Sequence, residues 1–346
     1  MKIAIHDSPG SFSDGWIDYC RTHQIEIKTV DCYDTDIIEQ LRGCDALMWH
    51  HKQNDSRERL FAKQLLFAVQ QGGLITFPNY RTFWHFDDKI AQKYMFESMG
   101  APLVPSYVFY SKKEALHWIH HTRFPKVFKL KGGAGSASVY LVRSASQARS
   151  LVRRAFGRGI SQFDPWRNFL EQLRLYRQNG GSITPILKGI YRYFIYPEYA
   201  KTNVADRNYV YFQDFIPNNE FDTRVIVIDR KAFAIRRMVR RGDFRASGSG
   251  DILYGKENFS AETIKLAFDL ARKLQSQCAA FDFVHDQFGQ PMVTEVSYGF
   301  VAGPYKSCVG YWDEFLEFHD GAFNFLDWMV EVVVDSIRGS RAEGNG

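Results

Sequence analysis

The chain has 346 residues, 45% hydrophobic and 16% aromatic, enough for a large core divided over two or three domains. Its net charge of +5 and isoelectric point near 8.8 are only mildly basic, which argues against a dedicated nucleic-acid binder. Five scattered cysteines, Cys20, Cys32, Cys44, Cys278 and Cys308, form no C-x-x-C pair, so neither a zinc site nor a disulfide framework is expected, and a reducing cytoplasm is the default setting.

MKIAIHDSPG reads as a short strand and a turn rather than a signal peptide. No apolar run reaches the roughly 18 residues that a membrane span needs. Residues 1–85 alternate strand and helix. KIAIH, IEIKTV, DALMWHH and GGLITF read as strands, with helical patterns such as RERLFAKQLLFAVQQ between them, which predicts an open, largely parallel sheet. No G-x-G-x-x-G follows the first strand, so no dinucleotide site is expected there.

In FDDKIAQKYMFESMGAPLVPSYVFY a helix runs to Gly100, and Pro102 and Pro105 force extended chain into a strand. Residues 124–142, FPKVFKLKGGAGSASVYLV, read as strand, glycine-rich turn, strand. Residues 150–207 are basic and aromatic, with helical candidates at 166–178 and 186–196. Strands return in YVYFQDFI and TRVIVIDRKAFAIRRMV, the second turning at Asp229 to Lys231. SAETIKLAFDLARKLQSQC is an amphipathic helix with Ser260 as its N-cap. The tail, residues 336–346, is expected to be disordered.

FDFVHDQFGQPMVTEVS, residues 281–297, reads as a β-hairpin with QFGQ as its turn. That register sets Asp286 against Pro291, Val284 against Val293 and Asp282 against Glu295, all on one face. Opposed like charges are destabilising. A divalent cation would remove the repulsion: Mg²⁺ takes oxygen ligands, typically carboxylates with water and substrate phosphates. Asp282 and Glu295 supply the carboxylates, and Ser297 on the same face offers a third oxygen. The plainer reading is a solvated surface pair.

KGGAGSASV lacks the G-K-[ST] of a Walker loop and is followed by β-like SVYLV, not by a helix. Strand, glycine loop and strand instead make a flap whose backbone N–H groups can close over phosphates, Gly133, Gly135 and Ser136 among them. An ordinary tight hairpin is the alternative. Lys129 in the strand entering the flap suits phosphate binding as a point charge, with Lys131 two residues on and Lys89 able to reach the same pocket. Arg224, Arg236, Arg237, Arg240, Arg241 and Arg245 cluster in one strand pair and its loop. Guanidinium groups facing a transferring phosphoryl group stabilise its charge.

Lys89, PKVFKLKGGAGSASV, FQDFIPNNEFDTRVIVI, AIRRMVRRGDFRAS and DFVHDQFGQPMVTEVS occur in the order found in the ATP-grasp ligases, and this ordered set resembles the RimK and glutathione-synthetase branch over about residues 75–300. The resemblance implies α/β and α+β architecture: an N-terminal open αβ domain (1–85), a lid lobe with the flap and an enlarged insert (86–207, insert 150–207), and a C-terminal lobe with the metal site (208–335). ATP would lie between the lobes. Lys89 and Lys129 would contact phosphates, the backbone of Gln213, Asp214, Phe215 and Ile216 adenine, and Glu220 or Asp222 the ribose. Arg237 and Arg245 would face the γ-phosphate, and Glu295 would bridge two Mg²⁺ ions, with Mn²⁺ as a substitute. Where the family reads E-x-N, this chain reads Glu295-Val296-Ser297.

The activity so implied is ATP-dependent ligation of a carboxylate to an amine through an acyl phosphate, in a cytoplasmic homodimer. The substrates are a small-molecule, glycan or peptide carboxylate and an amine, with no nucleic-acid partner. The tail YKSCVGYWDEFLEFHDGAFNFLDWMVE resembles ATP-grasp proteins associated with bacterial surface-polysaccharide gene clusters. A phosphotransferase and a nucleotide-binding module with a degenerate metal site are the alternatives. PILKGIYRYFIYPEYAK in the insert mixes apolar and aromatic residues with Lys and Arg, which suits peripheral contact with a membrane surface or packing against the lid itself.

Overall fold

A computed structural model describes residues 1–52, 55–133, 139–161, 205–240, 242–248 and 250–343, with 169, 173 and 176; of Ser56 and Arg59 it describes the backbone alone. Gly135, Ser136 and Arg241 lie outside the described residues, as does nearly all of the insert with its helical candidates.

The N-terminal sheet is wholly parallel, in the order β2-β1-β3-β4: β1 (Lys2–His6), β2 (Glu26–Val30), β3 (Ala46–Met48) and β4 (Ile75–Phe77). β3 is fully buried and β1 nearly so, because α1 (Phe12–Thr22) and α3 (Ser56–Gln71) pack about them. Such strands read as unbroken apolar runs rather than alternating ones. Ser11 and Asp55 cap the two helices with side-chain oxygens. Two short helices, α2 (Ile37–Gln40) and α4 (Tyr80–Phe83), fill connections, and α5 (Lys89–Ser98) follows.

A small antiparallel sheet, β5-β8-β6-β7, comes next: β5 (Ser106–Phe109), β6 (Lys126–Lys129), β7 (Val139–Val142) and β8 (Val210–Asp214). Helices α6 (Lys112–His121) and α7 (Ala145–Ala155) cover one of its faces through Ala115, Ile119, Ala148 and Val152 against Phe128 and Phe212. The strand YVYFQDFI therefore belongs to the lid sheet and not to a C-terminal lobe starting at 208. It pairs with β5 and β6, and its closing residue Asp214 binds Lys126 at 2.5 Å.

The large sheet runs β13-β12-β9-β10-β14-β15, with β11 (Ile252–Leu253) also on β10. Its central strands are β9 (Phe221–Ile228), β10 (Lys231–Met238), β12 (Cys278–His285) and β13 (Pro291–Ser297); β14 (Gly310–Asp313) and β15 (Phe318–Asp320) close one edge. Along β9, Val225 and Val227 pack with α5 and α8 (Ala261–Leu274), while Ile226 and Ile228 pack with the N-terminal unit. The two faces of the sheet thus serve two separate cores.

The C-terminal helix α9 (Phe325–Glu343) returns to the N-terminal sheet, burying Met329, Val330, Val333 and Ile337 beside α1 and β4. The expectation of a disordered tail from 336 is corrected: the helix continues to Glu343 because Ile337 has an apolar site to fill.

Candidate active site

Period-two alternation positions the site. On β9, β10 and β12 the residues facing the N-terminal core are apolar at one end, Ile226, Ile228, Phe233, Ile235 and Ala280. At the other end of the same face they are charged: Asp222, Arg224, Arg237 and Asp282. On the small sheet, Phe128 and Phe212 point to α6 and α7, while Lys129 and Gln213 point the opposite way. Between these charged faces lies a cavity of about 600 Å³, lined by residues of both sheets and of the loop at 243–247.

The hairpin register carries a correction. His285 pairs with Pro291, Val284 with Met292 and Phe283 with Val293, one step from the expected pairing. A bulge at Thr294 absorbs the step, so Asp282 does oppose Glu295. The Thr294 hydroxyl donates to the Asp282 carbonyl at 3.1 Å, which holds the bulge. The turn is longer than QFGQ: the Asp286 carboxylate accepts from Phe288 and Gln290 N–H, both at 2.8 Å.

The protein itself answers the repulsion between the two acids. Arg224 Nε and Nη2 donate to Asp282 at 2.5 Å and 2.6 Å, and Arg237 Nη2 reaches the same carboxylate at 3.0 Å. Arg237 also grips Asp222, at 2.6 Å and 2.7 Å. Burial alone would lift the Asp282 carboxyl, but the two guanidiniums hold it well below the usual carboxylate range. Asp222 is shifted up by its burial, against the pull of Arg237. Glu295 has its own cation, Lys89 Nζ at 3.2 Å.

Lys89 is the first residue of α5, whose N-cap Asp88 accepts from Ala91 N–H at 3.0 Å. It is only 4% exposed, and its Nζ also donates to the Gly133 carbonyl at 3.0 Å. Gly133 N–H donates to Asp87 at 2.8 Å, so the base of the flap is tied to the start of α5. Lys129 is likewise buried, and desolvation pulls its pKa down to about 8. Ser297 is buried, with its hydroxyl donating to the Gly299 carbonyl at 2.8 Å and its lone pairs still able to accept or ligate. Gly299 has to be small: a Cβ there would sit 3.0 Å from the His51 carbonyl.

Of the expected site residues, Lys89, Lys129, Gly133, Gln213, Asp214, Phe215, Ile216, Asp222, Arg237, Arg245, Asp282, Glu295 and Ser297 line this one cavity. Lys131 does not: β6 ends at Lys129, alternation stops, and the Lys131 side chain lies exposed against Asp88 at 3.2 Å. Glu220 is also exposed and off the cavity. The arginine cluster divides, because Arg236 and Arg237 are neighbours on opposite faces. Arg236 lies over the Phe221 ring at 3.9 Å and donates to the Asn258 carbonyl. Sequence reasoning placed Arg224 in the cluster but gave it no role in the site; the D-x-R spacing of Asp222 and Arg224, one face of a strand, was the available signal.

The fit of a divalent cation can be judged from the donors. Asp282, Glu295 and Ser297 are all oxygen donors facing one cavity, a hard set that suits Mg²⁺. Among the described residues one other acidic group could hold an ion, Asp313, Glu317 and His319, and it is at the far edge strands, away from the cavity.

A family model described as a RimK-like ATP-grasp domain matches residues 197–300. No curated protein matches the chain in sequence. Among solved structures, D-cycloserine synthetase DcsG is similar over 97% of this chain and 99% of its own at 13% identity, with a TM-score of 0.59. D-alanine–D-alanine ligase from Bacillus anthracis, complexed with ATP, is similar over 99% of each chain at 12% identity, TM-score 0.55. A RimK-domain ATP-grasp protein from Sphaerobacter thermophilus is similar over 86% of this chain and 90% of its own at 16% identity, TM-score 0.52.

Proposed function

We propose that this chain, which has the ATP-grasp fold and a RimK-like ATP-grasp domain at residues 197–300, is an ATP-dependent carboxylate–amine ligase. The observation that carries the reading is one cavity in which buried Lys89, at the start of α5, and buried Lys129, on the small sheet, face Asp282 and Glu295 from the large sheet. Two buried cations opposite two carboxylates suit a polyphosphate bound with its counter-ion.

In this reading, backbone groups at Gln213 to Ile216 hold adenine, and of the two acids expected at the ribose, Asp222 is the one supported by its cavity-lining position. Lys89 and Lys129 hold phosphates as point charges, and Gly133 brings the flap backbone over them. Asp282 and Glu295, with Ser297 as a third oxygen, would hold Mg²⁺, and Glu295 would be the residue shared with a second ion. Bound there, the metal supplies charge neutralisation to the phosphates.

The substrate carboxylate oxygen attacks the γ-phosphorus, and ADP leaves. The amine nitrogen then attacks the acyl carbon; the C–N bond forms, the C–O bond to phosphate breaks, and the amine proton is released. The protein contributes position and electrostatics, with Arg237 and Arg245 beside the transferred group, and no covalent nucleophile. The acid is an amino acid, a peptide or a polysaccharide precursor, and the enzyme works as a cytoplasmic homodimer.

Hydroxylamine is a general amine for testing this. With ATP, Mg²⁺ and pools of candidate acids, the enzyme is expected to release ADP and form a hydroxamate only when an acid is present. A phosphorylated acceptor without hydroxamate would establish a phosphotransferase instead.

A further inference from the structure

We propose that the outer face of α6 and α7, on the back of the lid sheet, is a docking surface for an anionic phospholipid membrane. Residues 111–123 and 143–158 contain eight Lys and Arg against one acid, Glu114. That is a local net of seven positive charges in a chain whose total is +5, so the rest of the molecule holds two more acids than bases. Lys112, Lys113, Arg123, Arg143, Arg153 and Arg158 are exposed, and none of the eight has an ion-pair partner among the described residues.

The geometry favours a plane over a groove or a strand. The two helices pack against each other and lie on the same face of the sheet, their inward sides filled by Ala115, Ile119, Ala148, Val152 and Ala155. Charges therefore point outward together from the surface of two helices packed side by side, whereas a nucleic-acid major groove admits a single helix. No large aromatic or aliphatic side chain is exposed within either helix, which removes the stacking platform that single-stranded nucleic acid uses. Exposed aromatics sit instead at the rim, where Tyr110 just before α6 and Tyr94 on α5 share a 3.0 Å hydroxyl contact. Tyrosine at the rim of a basic face suits the headgroup level of a bilayer.

The surface is separate from the cavity. On β6, Phe128 faces the helices and Lys129 faces the cavity, so docking leaves the cleft open. Neither inference depends on the other.

The test is sedimentation of the full chain with vesicles of phosphatidylcholine alone and with added phosphatidylserine. Wild type is expected to bind only the anionic vesicles and to be released by salt. The variant Lys112→Gln, Lys113→Gln, Arg153→Gln, Arg158→Gln alters exposed residues only. It is expected to partition at least on the order of a hundredfold more weakly, since each Lys or Arg near such a surface contributes roughly fivefold. Its thermal shift with nucleotide should match wild type. Absence of wild-type binding to anionic vesicles, or equal binding by the variant, overturns the proposal. Binding to a homopolymeric RNA or an acidic polysaccharide without binding to vesicles overturns it in favour of a soluble polyanion.

Discussion

Arg224 and Asp282 are direct cross-strand partners, and both nitrogens of one guanidinium edge reach both carboxylate oxygens, at 2.5 Å and 2.6 Å. Asp282 is buried and Arg224 half-buried, so removing Arg224 leaves Asp282 and Asp222 to share the one guanidinium of Arg237. Arg224→Ala is expected to lower stability by about 3 kcal/mol or more, measured as a urea midpoint shift. Arg224→Lys keeps the charge but not the fork and should fall between the two.

Lys129 gives a pH signature. Desolvation brings it down to about 8, so it is charged at neutral pH and loses its charge as pH rises through that value. Nucleotide affinity, read by calorimetry, should therefore weaken above about pH 8. Lys129→Gln should bind weakly at every pH, with that dependence gone.

A second signature lies outside the cavity lining. Glu58 on α3 is 2% exposed, accepts from the Tyr33 hydroxyl at 3.2 Å and from Lys52 N–H, and burial raises its carboxyl to about 7. The folded state keeps the proton that the unfolded state gives up near pH 4.3. Its contribution to stability is complete below that pH and is lost as pH rises to about 7. Wild type should lose roughly 3–4 kcal/mol over this window relative to Glu58→Gln, followed by chemical denaturation at stepped pH.

Ile337 tests the return of α9 to the N-terminal sheet. It is 2% exposed, and Ile337→Ala should lower stability by about 2–4 kcal/mol. A disordered tail would give no change in melting temperature.

These residues also show what the sequence revealed. Asp282 against Glu295 was legible, because a hairpin turn and alternation are local signals. The bulge at Thr294 was not: the turn is one residue longer than QFGQ, and the bulge returns the pairing to its expected partner. Lys131 was misplaced because period two was carried past the end of β6. β8 was assigned to the wrong lobe because its partners Ser106 and Phe128 are distant in sequence. The last helix was missed in FNFLDWMVEVVVDSIRGS, where a run of valines favours strand and packing against α1 and β4 overrides that preference.

The most direct test of a working metal–nucleotide site is the melting temperature with a non-hydrolysable ATP analogue, with and without Mg²⁺, in wild type and Glu295→Gln. At about a hundred times its dissociation constant a ligand adds roughly 2.7 kcal/mol, a rise of several degrees for a chain of this size. The account predicts that rise in wild type with Mg²⁺ and its loss in Glu295→Gln. No shift under any condition would contradict it, and an equal shift with and without Mg²⁺ would leave a nucleotide-binding module with a degenerate metal site.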